Sequence, residues 1–130
     1  MSERTVLDFF RSETRSPRQA HYQHVTPLGR RSLSTGEFVQ RTSALADALQ
    51  ELGVASGDRV LLLSDNRPEW HMVDLATLDL GAADVPVYGT LTPEQIAYQA
   101  GDSGAVAAVV ETAGQMDKVL EVRHRCPGLR

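Results

Sequence analysis

Two short linkers carry polar residues at the positions where open α/β sheets bind ligands. Each linker follows a predicted strand and precedes a predicted helix, at residues 64–68 and 88–92. A phosphate site there would need glycines, so that backbone N–H groups and the helix dipole face the anion. The first linker has no glycine, Asp65 would repel phosphate, and Pro68 lacks an N–H. We predict helix capping there rather than nucleotide binding. The second linker has only Gly89, which favours a structural turn over an anion site.

The histidines and the single cysteine lack the spacing of a metal site. His21 and His24 lie in an irregular segment, and His124 stands two residues before Cys126. Neither arrangement supplies the three or four convergent ligands of a zinc site. No serine stands in a nucleophile-elbow sequence, and no carboxylate pair is placed for acid–base catalysis. We therefore predict no catalytic, cofactor-binding or metal-binding residue in this chain.

The composition is typical of a globular protein. Of the 130 residues, 42% are hydrophobic and 23% are charged, and the net charge is −4. An acidic chain without a long basic run argues against a nucleic-acid partner. No apolar run reaches the roughly 18–20 residues of a membrane helix, and the first residues do not have a signal-peptide pattern. One cysteine permits no internal disulfide and suits a reducing compartment. We expect a soluble, cytoplasmic protein with no transmembrane segment.

Residues 1–33 are predicted to form an irregular lead-in with one short helix, at residues 6–10. Pro17, Pro27 and Gly29 interrupt any regular pattern there. Acidic residues are interspersed among the arginines of this region, which favours a solvated segment over a binding arm. The region contains Arg4, Arg11, Arg15, Arg18, Arg30 and Arg31.

Residues 34–130 form the predicted body of the protein. Ser34 and Glu37 have capping-box spacing and start a helix over 36–52, which Gly53 ends. Strands are predicted at 59–64, 84–88 and 105–110. The first of these is an unbroken apolar run, which indicates burial on both faces. Pro86 places the second strand at an edge, a bulge or a strand end.

A helix is predicted after each strand. Asn66 and Glu69 have capping-box spacing, and Gly81 ends the helix that follows them. Thr92 and Gln95 cap the next helix, which is predicted to end near Gly101, and the last helix starts near residue 113 and stops before residue 127. Strands alternating with such helices predict a parallel sheet with right-handed crossovers. We predict an α/β fold, a partial three-layer arrangement with a small, mostly parallel sheet flanked by helices.

Several stretches of the body occur in the order and register of one family. They are 37–38 and 44–49, Gly57-Asp58-Arg59-Val60, Asn66-Arg67-Pro68-Glu69-Trp70, 85–88, 92–98 and 102–105. Together they resemble the N-terminal region of the adenylate-forming acyl-CoA synthetases, the AMP-dependent synthetase and ligase superfamily. The Val-Pro-Val-Tyr and Thr-Pro-Glu-Gln-Ile stretches resemble its long-chain fatty-acid branch.

The resemblance implies a parent enzyme that uses ATP and magnesium to convert a fatty acid to an acyl-adenylate. That enzyme would then transfer the acyl group to coenzyme A and release AMP. The family's Ser/Thr/Gly-rich ATP loop, ribose-binding aspartate, hinge and catalytic lysine have no match here. The stretch 88–92 begins like the family's Tyr-Gly-x-Thr-Glu motif, but Leu91 and Thr92 depart from it and it lies too early. No family site residue can be carried over, and we expect no cofactor in this fragment.

One further departure concerns local packing. Thr35 stands where the family usually has an aromatic residue, in the strand before the first long helix. The departure implies weaker packing at this point.

Two functional hypotheses from different classes follow. The first is an N-terminal fragment of an acyl-CoA synthetase, catalytically incomplete and structural. Its partner would be the remainder of the synthetase, or a second copy bound through an exposed apolar face. The second is a stand-alone, non-catalytic α/β interaction module with a fully covered sheet. A small flavodoxin-like receiver or nucleotide domain is disfavoured, because no acidic or glycine-rich site is visible.

Overall fold

A three-stranded sheet, a separate hairpin and five α-helices make up residues 5–130, which the computed structural model describes. Arg4 and the other residues before position 5 of the predicted lead-in lie outside the described residues. In chain order the elements are α1 (Val6–Glu13), β1 (Tyr22–Thr26), β2 (Gly29–Leu33), α2 (Thr35–Glu51), β3 (Arg59–Leu63), α3 (Pro68–Asp79), β4 (Ala83–Val87), α4 (Pro93–Ser103), β5 (Ala107–Val110), α5 (Ala113–Val122) and a 3₁₀ turn (Arg123–Arg125).

Strand β3 is the centre of the sheet and pairs in parallel with β4 on one side and β5 on the other. Its leucines are at most 1% exposed. Leu61 and Leu63 pack into one core, and Val60 packs into the core on the opposite face. This confirms the prediction of a strand buried on both faces. Burial of each such side chain stabilises the fold by about 2 kcal/mol.

Helices cover both faces of this sheet, which confirms the predicted three-layer α/β fold. Helices α2 and α3 pack against each other and cover one face, through a core that includes Leu49, Val60 and Ala76. Helices α4 and α5 cover the other face, where Ile96 and Val119 pack on β3. None of the helices in residues 5–130 is both long enough and apolar enough to cross a bilayer.

Capping boxes start most of the helices. The predicted boxes at Ser34 with Glu37 and at Thr92 with Gln95 are both formed, each with reciprocal side-chain and backbone bonds. Thr112 and Gln115 form a further box at the start of α5, which the sequence analysis did not single out. Helix α2 ends where Gly53 adopts a φ of +85°, as expected for a glycine in the left-handed region.

One predicted helix terminus is wrong, and another lies two residues from its predicted position. Arg67 rather than Asn66 occupies the N-cap position of α3, and no side chain caps that end. Glu69 accepts instead from the Arg67 guanidinium at 2.8 Å, because a charge-assisted bond is stronger than a neutral cap. Helix α4 continues past Gly101 to Ser103, and Gly104, at φ +64°, provides the left-handed termination.

The lead-in is not irregular throughout, because it contains an antiparallel hairpin. Strands β1 and β2 pair from Tyr22 opposite Leu33 to Thr26 opposite Gly29. Most of their side chains are exposed, and Leu33 is the one buried residue. The strands therefore have no alternating apolar pattern in the sequence, which is the signal that predicts a strand. The predicted short helix is confirmed as α1 and extends to Glu13.

An aromatic cluster attaches the hairpin and α1 to the body. The rings of Tyr22 and Phe38 stack at 4.4 Å, and Phe10 meets Phe38 edge-on at 5.7 Å. Thr35 is the first residue of α2 and not part of a strand. It is 3% exposed, and its hydroxyl accepts from the Arg18 N–H at 2.9 Å. Hydrogen bonding thus holds this junction where the family's aromatic residue was expected.

Candidate functional site

A cleft lies at the carboxyl edge of the sheet, between β3 and β5. The chain leaves β3 for β4 on one side and then crosses to β5 on the other, so the strand order reverses between β3 and β5. Open α/β sheets bind ligands at this kind of switch point. The cleft has a volume of about 200 Å³, and its lining combines an apolar wall with a polar rim: Leu62, Trp70, Val73, Val109 and Val110, and Ser64, Arg67, Glu69 and Glu111.

Glu111 is the centre of the polar rim. Its carboxylate accepts from the backbone N–H of Asp65 at 2.7 Å and from the Ser64 hydroxyl at 3.1 Å. The Arg67 guanidinium also donates to Glu111 at 2.8 Å through Nη1, and to Glu69 at 2.8 Å through Nε. One arginine therefore joins the end of β5 to the start of α3, across the mouth of the cleft.

These bonds keep both carboxylates ionised. The Asp65 N–H, together with Arg67 and Ser64, lowers the pKa of Glu111. Arg67 likewise lowers the pKa of Glu69, and the two carboxylates raise the pKa of the guanidinium. A general acid needs a raised pKa, and a general base needs an accessible lone pair. The rim fits a structural latch better than it fits proton transfer.

The predicted capping role of the first linker is replaced by this latch. The Asp65 N–H, which an anion would need, is already bonded to Glu111. Two carboxylates at the rim also oppose a phosphate electrostatically. Glu111 was missed by the sequence analysis. Its position directly after a buried strand, at the carboxyl edge, was the available signal.

The second linker is a packed turn. Lys118 donates to the carbonyl oxygens of Gly89 at 2.9 Å and Leu91 at 3.0 Å. The Thr92 hydroxyl accepts from the Gln95 N–H within α4. A side chain at position 89 would place its Cβ 2.7 Å from the amide nitrogen of Gln115. The linker thus turns carbonyls toward a lysine of the same chain, which supports the predicted structural turn.

His21 and His71 have different surroundings. His21 is within 3.1 Å of the Thr35 hydroxyl through Nδ1, and burial, with the Arg18 charge, lowers the pKa of its ring. His71 is exposed and packs against Tyr22 and Trp70. Within residues 5–130, no three His, Cys, Asp or Glu side chains are grouped closely enough to hold a metal.

One carboxyl pair was not foreseen from the sequence. Asp74 on α3 and Asp84 on β4 are hydrogen-bonded to each other. Burial, this bond and the Asp84 charge raise the pKa of Asp74 to about 6. Burial and the Asp74 charge in turn raise the pKa of Tyr22. Because Asp84 is near the start of β4, the pair lies toward the amino edge of the sheet and away from the cleft.

The stretch Gly57-Asp58-Arg59-Val60 also lies at the amino edge. The Asp58 carboxylate accepts from the Ala55 N–H at 2.9 Å and closes the turn before β3. Gly57, at φ +87°, donates its N–H to Gly81 at 2.9 Å. This turn therefore joins the start of β3 to the end of α3.

Arg59 extends the same junction to α4. Its Nε donates to the Ser103 carbonyl at 2.5 Å, and its Nη2 donates to the Gly104 carbonyl at 3.2 Å. A cation at these carbonyls also complements the negative end of the α4 dipole. We refer to the bonds of Gly57, Asp58 and Arg59 as the amino-edge clamp. It is a structural junction, on the opposite side of the sheet from the cleft.

Comparison with known proteins gives a family match over nearly the whole chain. The model of the AMP-binding enzyme family matches residues 9–129. The chain belongs to the AMP-binding enzyme family. The long-chain-fatty-acid–CoA ligase FadD15 of Mycobacterium bovis is 35% identical over 121 residues, which are 93% of this chain and 20% of that protein. The chain thus spans about a fifth of the length of this relative.

A second relative is much shorter. The uncharacterized protein Rv1549 of Mycobacterium tuberculosis is 31% identical over 86 residues, which are 66% of this chain and 49% of that protein.

Solved structures of family members have the same fold. The N-terminal domain of FACL13 from Mycobacterium tuberculosis superposes with a TM-score of 0.79 at 24% identity, over 93% of this chain and 30% of that one. The Mycobacterium tuberculosis fatty acyl CoA synthetase gives a TM-score of 0.75 at 25% identity, over 88% of this chain and 22% of that one. The recognition made from the sequence is confirmed by these matches, as is the fold.

Proposed function

We propose that this chain is the N-terminal scaffold of an ATP-dependent acyl-CoA synthetase that acts on long-chain fatty acids. The observation that carries the proposal is the match to a long-chain-fatty-acid–CoA ligase over 93% of this chain. The amino-edge clamp supports a scaffold role, because the family-like stretch Gly57-Asp58-Arg59-Val60 makes hydrogen bonds that join neighbouring elements of the fold.

In the whole enzyme, ATP and magnesium would activate the fatty acid carboxylate to an acyl-adenylate with release of pyrophosphate. Coenzyme A would then take the acyl group, and AMP would leave. The contribution of residues 5–130 is to hold the sheet and its two helical layers in place. The ionised carboxylates at the cleft are already bonded to Arg67 and to backbone, which supports a role in shape rather than in chemistry.

The partner proposed for this scaffold is the remainder of the synthetase, bound at the outer edge of β5. The Glu111 N–H donates inward to Leu63, so alternation turns the backbone of Ala108 and Val110 outward. Within the described chain, no strand lies beside that edge, and the one backbone bond near it joins the Arg130 N–H to the Val106 carbonyl, just before β5. Exposed side chains of α5 flank it, with Met116 44% and Leu120 52% exposed. An open edge beside apolar side chains is typical of a surface that is covered in the assembled protein.

The stand-alone interaction module remains a second candidate, favoured by one observation. The matched region is 49% of Rv1549, so this half-domain occurs in a protein far shorter than a full synthetase relative. A module of this kind would use the same β5 edge to bind a second copy or another protein.

An isotope exchange assay tests the scaffold proposal. The purified chain is incubated with ATP, magnesium, a long-chain fatty acid and labelled pyrophosphate. We expect no fatty-acid-dependent exchange of label into ATP, with full-length FadD15 as the positive control. Exchange at an enzymatic rate by the purified chain would overturn the proposal, because it would require a complete adenylation site within these residues.

A further inference from the structure

The β1–β2 hairpin ends in an exposed apolar tip. Leu28, in the turn between the strands, is 100% exposed, and Val25 on β1 is 67% exposed. Pro27 precedes Leu28 at the turn. The hairpin is attached to the body at its other end, through Tyr22 and Leu33. A large apolar side chain at the most distal point of a hairpin has no packing role within the folded chain.

The charged residues of the hairpin and of the segment before it are all basic. Residues 14–36 contain four arginines and none of the 17 acidic residues of a chain whose net charge is −4. The acidic residues interspersed in the lead-in therefore all precede the hairpin, at or before Glu13. The predicted solvated character applies to that earlier part, whereas the hairpin itself is purely basic.

Arg30 and Arg31 are available to an external anion. Both are exposed on β2 and form no salt bridge in the described part of the chain. Arg31 is nevertheless close enough to Glu37 and Glu69 to help lower the pKa of each carboxyl, so Arg30 is the freer of the two. Arg30 is the cross-strand neighbour of Val25, and Arg31 is the neighbour of His24. The basic side chains therefore lie directly behind the apolar tip.

We propose that this hairpin docks on an anionic lipid surface, independently of the function proposed above. Leu28 and Val25 would enter the boundary between headgroups and acyl chains, while Arg30 and Arg31 bind lipid phosphates. Apolar side chains in front of a basic band match the order of hydrocarbon and phosphate at a bilayer surface. Leu28 is fully exposed, so the tip offers a protruding apolar side chain that can enter a lipid layer.

Vesicle sedimentation tests the proposal with the whole 130-residue chain. Vesicles of phosphatidylcholine containing phosphatidylglycerol are compared with vesicles of phosphatidylcholine alone. We expect binding to the anionic vesicles, and loss of most of it in about 1 M salt, where the Debye length falls to about 3 Å. Equal binding to both compositions, or binding to neither, would overturn the proposal.

Variants assign the binding to the hairpin. Leu28→Ser is expected to lower the partition coefficient about tenfold or more. Arg30→Gln with Arg31→Gln is expected to lower it by about fivefold for each charge removed. Leu52→Ser is the matched control, because Leu52 is 52% exposed at the far end of α2. It should bind like the wild type. Wild-type binding by Leu28→Ser, or an equal loss in Leu52→Ser, would contradict the assignment.

Discussion

Arg59 shows why residues typical of a family can be structural. Its guanidinium joins the start of β3 to the last carbonyls of α4, and a Cβ at Gly104 would lie 2.6 Å from its Nη2. Gly104, at φ +64°, thus leaves room for the Arg59 guanidinium. Arg130 makes an analogous contact at the end of α2, where Nη1 donates to the carbonyls of Leu52 at 3.0 Å and Gly53 at 3.2 Å.

Replacing Arg59 should destabilise the chain. Arg59→Met keeps the aliphatic stem but removes three donors to carbonyl oxygens. We expect the free energy of unfolding to fall by about 2 kcal/mol in total, roughly the contribution of one well-formed bond from a charged donor, because two of the three bonds are exposed to water. Urea denaturation followed by circular dichroism measures it. Arg41→Met, at an exposed position of α2, is the control, and an equal loss in both variants would refute the clamp.

The Asp74–Asp84 pair predicts a pH dependence of stability. The pKa of Asp74 is raised in the folded chain from its ordinary 3.8 to about 6. Between these values the folded chain holds a proton that the unfolded chain releases. The contribution of Asp74 to stability therefore decreases as the pH rises through this interval and is constant above it.

Asp74→Asn tests this dependence, because asparagine cannot ionise. The gain in urea midpoint of the variant over the wild type should be larger at neutral pH than near pH 4. Comparing each variant with the wild type at the same pH removes the opposite contributions of Glu69 and Glu111, whose pKa values are lowered. Asp47→Asn, exposed on α2, should show no such difference. A pH-independent gain in Asp74→Asn would contradict the shared proton.

At the scale of elements, the two outer strands of the sheet, β4 and β5, differ in how their free sides are protected. The Ala83 N–H donates inward to Asp58, so alternation turns position 86 outward. Pro86 has no N–H to offer there, and Asp84 adds a charge to the same strand. Strand β5 has neither a proline nor a charge. The first edge is thus protected against pairing with another chain, and the second is not.

Self-association should follow from the unprotected edge when the chain is isolated. We expect light scattering to detect dimers or larger species whose fraction rises with concentration. Met116→Lys with Leu120→Lys should restore the monomer, because the two charges flank β5. Leu28→Lys, on the hairpin, is the control and should not. A wild-type chain that stays monomeric at high concentration would favour a closed, stand-alone module.

The elements with strong local signals were predicted from the sequence. Helix α2 has a capping box at one end and a glycine at the other, so its predicted bounds are within one residue of the observed ones. The hairpin could not be predicted, because Leu33 is its one buried residue and its strands have no alternating apolar pattern. Glu111 and Arg67 are 44 residues apart in the chain. Their contact depends on which strands become neighbours, and no local pattern encodes that.

At the scale of the whole molecule, residues 5–130 form a sheet with a helical layer on each face. Its two helical layers and central strand are complete, and its carboxylates at the cleft are all engaged. We therefore propose that these residues serve as an interchangeable N-terminal scaffold of an acyl-CoA synthetase.

A chimeric enzyme tests this claim most directly. The 121-residue region of FadD15 that matches this chain is replaced by the corresponding residues of this chain, and fatty-acid-dependent AMP formation with coenzyme A is measured. We expect a folded chimera that retains acyl-CoA ligase activity, and we expect the same chimera carrying Arg59→Met to unfold at a lower urea concentration. A chimera that folds as stably as FadD15 but forms no acyl-CoA would contradict the claim.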